Sequence, residues 1–179
     1  HATLLTGEAP PVHGVQNPRD TIHPGVVTLA QRMSAAGLKT GARVYDCVWL
    51  DPKFGFDRGF DDYRVLPFGL PKMFRQASNW LVDHRQESFF FFFHTFEPHS
   101  DFHQLPYESP GITARQVEER HGFERFGCRD NVCASALLEK MKRGEIEPLE
   151  GELEVMEELY RRGISHTDRL LGELFGRLK

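Results

Sequence analysis

Three side chains able to take up or release protons, His94, Glu97 and His99, follow directly on five consecutive phenylalanines, Phe89 to Phe93. A strand with one buried face alternates apolar and polar residues, whereas a strand covered on both faces reads as an unbroken apolar run. Phe89 to Phe93 is therefore read as a central strand of a parallel sheet with helices on both sides. In open α/β sheets, ligands bind just beyond the carboxyl ends of the strands, and that is where these three residues fall. Imidazole and carboxylate groups in such a place suit general acid–base work. The competing reading is a buried apolar segment closed by a polar turn, with Pro98 ending the strand. The run alone does not choose between them.

The elements that must position this cluster can be read outward from it. Ala2 to Leu5 reads as a short helix stopped by Gly7, followed by a loop through Pro10, Pro11, His13 and Gly14. Val26, Leu29, Ala30 and Met33 keep helical spacing, with Gly37 where a terminal glycine belongs. Leu38 to Tyr45 reads as a strand, so that helix, glycine and strand make half of a βαβ repeat. Asp51 to Pro71 is rich in Asp, Gly, Pro and aromatics and reads as one long ordered loop. Pro71 suits the first turn of a helix whose apolar stripe is Met73, Phe74, Ala77, Trp80 and Leu81. The polar stretch 101–127 reads as a lid-like excursion. Val132, Ala136, Leu137 and Met141 suggest one helix. Leu149, Leu153, Met156 and Tyr160, then Thr167, Leu170, Leu171, Leu174 and Leu178, suggest a long helix or a pair kinked at Gly163. The alternation of strand and helix makes the class α/β, in one domain, or a piece of a larger one, over residues 1–179.

Composition excludes several classes. The chain has 179 residues, 40% of them hydrophobic and 27% charged, enough for one domain with a core. No apolar run reaches the 18 or so residues of a membrane helix. A formal charge of −4 without a basic run argues against a nucleic-acid surface. Cys47, Cys128 and Cys133 show neither metal-finger nor redox spacing and say nothing about compartment. The first residue is His, so a processed or truncated start is expected, and the lack of a targeting segment is uninformative.

Several separated stretches together resemble the sulfatase family of the alkaline-phosphatase-like superfamily. His1-Ala2-Thr3-Leu4-Leu5-Thr6-Gly7, with Pro10, Pro11, His13-Gly14-Val15 and Asn17, is similar to the helix after the sulfatase nucleophile, where C/S-x-P-S-R-A-x-L-L-T-G is followed by P-x-x-H-G. Thr28-Leu29-Ala30, Gly37-Leu38-Lys39-Thr40 and Gly55-Phe56-Asp57-Arg58-Gly59-Phe60-Asp61 are similar to the family's T-L-A, A-G-Y-x-T and G-F-D-x-G-F-D segments. Phe89 to His99 resembles P-F-F-L-F-L-H-x-x-D/E-P-H. Ile164 to Leu178, with Thr167-Asp168 and Leu171-Gly172, resembles the family's E-I-x-x-x-D-x-x-I/L-G-x-L helix.

The resemblance implies an alkaline-phosphatase-like sheet and hydrolysis of sulfate esters, on small molecules or glycans, through a covalent intermediate. It implies a divalent cation, usually calcium, held by carboxylates. Cation and basic side chains would neutralise the ester oxygens as charge develops. His99 matches the family's substrate-contacting His, as a donor to an ester oxygen or to the leaving alkoxide. His94 and Glu97 match the H-x-x-D/E positions, and Glu97 would orient a His or a metal-bound water. His1 stands where the best-known members carry Arg. The His form occurs in members with a Ser or Thr nucleophile and in related phosphodiesterases, which keeps phosphate and phosphonate esters as alternative substrates.

The nucleophile would lie four residues before His1. Neither the paired-Asp metal motif nor the D-H/N-G metal motif has a match here. The family's G-K-W-H is not reproduced in Arg43-Val44-Tyr45-Asp46-Cys47-Val48-Trp49. These departures imply a partial catalytic domain, inactive by itself, with its metal ligands elsewhere; a non-catalytic module is the alternative. An exported or periplasmic parent is in keeping with the family. His13 reads as closing a loop through hydrogen bonds rather than as catalytic. Asp57, Arg58 and Asp61 read as a folded turn with a local ion pair.

Overall fold

The structure, a computed structural model, describes residues 1–67, 69–99, 107, 116, 119, 120 and 133–178. The chain forms two compact units, His1–Phe96 with Leu174–Lys179, and Glu97–Glu173. Apart from residues 107, 116, 119 and 120, the expected excursion over 101–127 lies outside the described residues, as do Cys128 and Val132.

The first unit opens with α1 (Ala2–Thr6), closed by Gly7 at φ 73°, whose N–H returns to Thr3 O. A second helical turn, α2 (Pro10–His13), stands where the sequence suggests only loop. Pro10 and Pro11 occupy its first positions, where a helix has no use for the missing N–H groups, and Gly14 at φ 83° ends it. α3 (Leu29–Ala35) begins at Thr28, which forms a reciprocal capping box with Gln31; Val26 falls before the cap. The helix ends as a Schellman motif, with Gly37 N–H on Ser34 O and Leu38 N–H on Met33 O. That leads directly into β1 (Lys39–Tyr45).

After β1 come a 3-10 turn, Pro52–Phe54, and β2 (Asp62–Leu66), a strand inside the stretch that reads as loop. α4 (Leu70–Asp83) has Pro71 in its first turn and buries Met73, Phe74, Ala77, Trp80 and Leu81, the stripe expected. β3 (Phe89–His94) follows. The three strands are parallel in the order β2-β1-β3. The architecture is α/β.

Among the described residues, β1 and not the phenylalanine run is the middle strand. Every residue of β3 is half-buried, because its side chains alternate between two incompletely covered faces. Phe89 and Phe91 meet Trp80, and Phe93 meets Phe74, both on α4. Phe90 meets Phe60 on the opposite face. There, Phe92 joins a core built from Ala2, Leu5, Ile22, Val44, Leu50 and Phe54.

Close approach of α4 needs Gly41. A Cβ there would lie 2.4 Å from Trp80 Cε2, and Gly41 is in register with Phe91, on which Trp80 stacks at 4.8 Å. On the same face Arg43, buried in mid-sheet, donates to Asp62 Oδ2 at 2.8 Å. Burial pushes the Asp62 carboxyl up, but hydrogen bonds from Arg43 and Arg64 outweigh it and hold the group below its ordinary value.

The second unit contains α5 (Cys133–Lys142) and most of α6 (Glu152–Gly176). Val155, Met156 and Leu159 of α6 pack with Leu137, Leu138 and Met141 of α5 and with Tyr107. Of the expected stripe, Met156 is buried, while Leu149, Leu153 and Tyr160 are exposed. The helix turns a face through 152, 155, 156 and 159 inward instead. Gly163 does not break it: a Cβ there would meet Pro98 Cβ at 2.9 Å, so glycine is required for packing rather than for a kink. The outer face carries Glu157–Arg161 and Glu158–Arg162 pairs four residues apart.

Candidate functional site

His94 is the last residue of β3, in register with Val44 of β1, and so lies at the carboxyl end of the sheet. Alternation turns it to the face that carries Phe92 and Val44, the face on which α1 packs. His1 is the N-cap residue of α1. The two imidazoles meet edge to face, with ring centroids 4.7 Å apart and planes at 82°. The rings of Phe92 and Phe96 stand 6.5 and 6.1 Å from His94. Its Nδ1 is buried with no hydrogen-bond partner among the described residues. Burial pulls the His94 pKa below the usual imidazole value. That favours the neutral imidazole, and the buried Nδ1 has its hydrogen bond unmade among the described residues.

Beside His1 runs a groove of about 240 Å³, lined by Gln16, Asn17, Arg19, Asp20 and Trp49 among others. Asp20 Oδ2 accepts from the backbone N–H of Gln16 (2.9 Å) and Asn17 (2.6 Å), and these bonds lower its pKa. The sequence reading singles out neither Arg19 nor Trp49. The signal available was the Asn17-Pro18-Arg19-Asp20 turn composition, which marks a loop without saying what it faces.

His13 is 1% exposed and works as a clasp. Its Nδ1 accepts the Val15 N–H at 3.1 Å, which places the ring proton on Nε2, 3.0 Å from Thr3 Oγ1. The Asp57–Asp61 turn is structural, but not through a local ion pair. Arg58 donates to the carbonyls of Gly55, Pro24 and His23, and Asp61 Oδ2 accepts the Thr40 N–H. Gly59 fits against α3, where a Cβ would come 2.2 Å from Gln31 N. Lys53 pairs with Asp51 at 3.2 Å. Cys47 is a free, buried thiol whose pKa burial raises, so it is a poor nucleophile.

The structure thus brings His1 and His94 together. Glu97 and His99 belong to the second unit. There, His99 lines a groove of about 420 Å³ with Pro98, Tyr107, Met156, Glu157 and Tyr160. Tyr107 and Tyr160 pack edge to face at 5.2 Å. Among the described residues, no three His, Cys, Asp or Glu side chains are grouped so as to hold a metal ion. The resemblance assigns the carboxylates of its calcium ion to segments outside residues 1–179. No helix among the described residues is long and apolar enough to cross a membrane. Comparison of the chain with protein-family models, with curated proteins and with solved structures found no match.

Proposed function

We propose that residues 1–179 form part of a sulfatase-like hydrolase of the alkaline-phosphatase-like superfamily, which cleaves a sulfate ester through a covalent intermediate. The observation that carries the reading is the contact of His1 with His94 at the carboxyl end of a parallel sheet, where α/β proteins hold their ligands. The motif resemblance assigns both residues to the same site independently of that contact. In this reading His1 and His94 donate hydrogen bonds to the ester oxygens. The roles of His99, as a donor to an ester oxygen or to the leaving alkoxide, and of Glu97, in orienting a His or a water, rest on the motif resemblance alone. The resemblance assigns the nucleophile, and the carboxylates that would hold a calcium ion, to segments that residues 1–179 do not contain. His1 in place of the more usual Arg favours a second reading on the same site, in which the ester is a phosphodiester or a phosphonate.

Titration of the chain with sulfate and with phosphate, followed through the imidazole ring protons by NMR, tests the site. Saturable shifts of His1 and His94 together are expected, with the stronger response identifying the preferred anion. Shifts absent from both rings, or confined to exposed His23, would count against an ester site here. In that case the chain would act as a folding or interaction module.

A further inference from the structure

Two turns with unfavourable backbone conformations stand at the groove beside His1. Asp20 N–H bonds to Asn17 O at 3.2 Å, closing a β-turn with Pro18 second and Arg19 third. Arg19 has φ 84°. A turn with Pro second and a positive φ third is type II, whose third position favours glycine. On the other side, Trp49 N–H bonds to Cys47 O at 2.7 Å, a γ-turn centred on Val48 at φ 66°. A β-branched residue in that region is an outlier with a real energetic cost.

Side chains hold both turns only in part: Asp20 Oδ2 accepts from the amides of Gln16 and Asn17, and the Trp49 ring packs against Phe96 at 6.4 Å. Arg19 is exposed and meets no carboxylate among the described residues. Trp49 is 49% exposed, although an indole gains most when covered. Backbone strain held at a groove, with an exposed cation and a half-exposed indole beside it, marks a ligand site. The ligand chemistry follows from the lining. Guanidinium takes a carboxylate, sulfate or phosphate, indole takes the flat face of a ring, and the exposed Gln16 carboxamide takes hydroxyls. Asp20 also lines the groove, but its Oδ2 is already engaged by the amides of Gln16 and Asn17.

We infer that this groove binds a six-membered ring carrying an anionic substituent, with the ring on Trp49 and the anion on Arg19. Identification of that ring with the alcohol part of the ester rests on the hydrolase reading above; the binding itself does not. An aryl acid and an acidic sugar share this chemistry.

The chain is titrated separately with 4-hydroxybenzoate, methyl glucuronide, phenol, methyl glucoside and inorganic sulfate, reading the Trp49 indole N–H and the His1 ring by NMR. One of the two ring acids is expected to shift Trp49 saturably, and the stronger of them names the source of the ring. Phenol and methyl glucoside are expected to bind more weakly. Arg19→Gly is the decisive variant, since glycine suits this turn better than arginine. It is expected to melt no lower than the wild type and yet to bind the ring acid about tenfold more weakly, as loss of one charge-assisted pair does. Trp49→Ala is expected to weaken binding by a similar factor. Unchanged affinity in both variants, or no response of Trp49 up to roughly 10 mM ring acid, overturns the assignment. Sulfate shifts at His1 and His94 with a silent Trp49 would remove this subsite and leave the hydrolase reading standing. Ring-acid binding without any sulfate response would do the reverse.

Discussion

Replacing Gly41 by alanine adds one methyl group between β1 and α4, and its cost can be worked from the packing. The new Cβ would lie 2.4, 2.6 and 2.9 Å from Cε2, Cζ2 and Cδ2 of Trp80. Ordinary carbon contacts lie near 3.5–4 Å, so the indole must retreat by about 1 Å. It is poorly placed to do so. Trp80 is 5% exposed, and it stacks on Phe91 at 4.8 Å and on His84 at 4.1 Å. Overpacking of this kind costs about 1–3 kcal/mol, while alanine recovers about 0.4–1 kcal/mol by restricting the unfolded chain. A net loss of about 1–2 kcal/mol follows. For a unit of roughly 100 residues that is a fall in melting temperature of about 5–10 °C. Circular dichroism melts, with urea titration for the free energy, measure it. Trp80→Leu alone should also destabilise, but the double variant should show a favourable coupling of about 1–2 kcal/mol, because the clash is gone. A Gly41→Ala variant that melts at or above the wild-type temperature would refute the close approach of α4 to the sheet. With it would go the seating of the strand that carries His94.

Three further outcomes follow from particular contacts. His13→Ala removes the acceptor for Val15 N–H and the partner of Thr3 Oγ1, and leaves a cavity; a loss of about 2–4 kcal/mol is expected in urea titrations. Gly163 and Gly172, two of the three glycines of α6, should respond in opposite ways. Gly172 has nothing within 4 Å of a Cβ, so Gly172→Ala should stabilise by up to about 1 kcal/mol. Gly163→Ala, which meets Pro98, should lose that gain or reverse it; equal melting shifts would contradict the packing. The depressed pKa of His94 fixes the sign of a pH effect. Between the folded and unfolded pKa values the unfolded chain binds more protons, so stability rises with pH in that window. The contribution is complete above the unfolded value of about 6.5 and is lost as pH falls through the folded value. The urea midpoint should therefore drop between pH 7.5 and 5.5 more for wild type than for His94→Gln, and parallel curves would show that His94 does not titrate differently on folding.

Local signals in the sequence marked α1, α3 and α4, but not α2 nor the buried face of α6. Gly7, Gly37 and Pro71 do what their conformational limits require, and the stripe of α4 is buried as its spacing implies. The order of strands in the sheet was not legible. A run of five identical residues contains no alternation, so Phe89–Phe93 looks covered on both faces. In the fold each face is covered only in part, and among the described residues the middle place belongs to the more ordinary sequence of β1. β2 was hidden for a related reason. Asp62 and Arg64 stand on its outer positions and mimic loop composition, while only Tyr63, Val65 and Leu66 carry the strand signal. The meeting of His1 with His94 joins residues 93 positions apart, so spacing could not show it and only motif resemblance suggested it. Arg19 and Trp49 had no such help, because their significance lies in backbone angles.

The most direct test of the central claim is the rate of aryl sulfate hydrolysis by the protein that carries residues 1–179 in full, measured with and without His94→Gln. Turnover by the wild type is predicted, with a fall of about 10²–10³-fold in the variant, the usual scale for loss of a positioned acid–base or hydrogen-bonding group. Equal rates for the two proteins would contradict the account. So would no turnover of aryl sulfate, phosphodiester or phosphonate ester with calcium, manganese or zinc supplied.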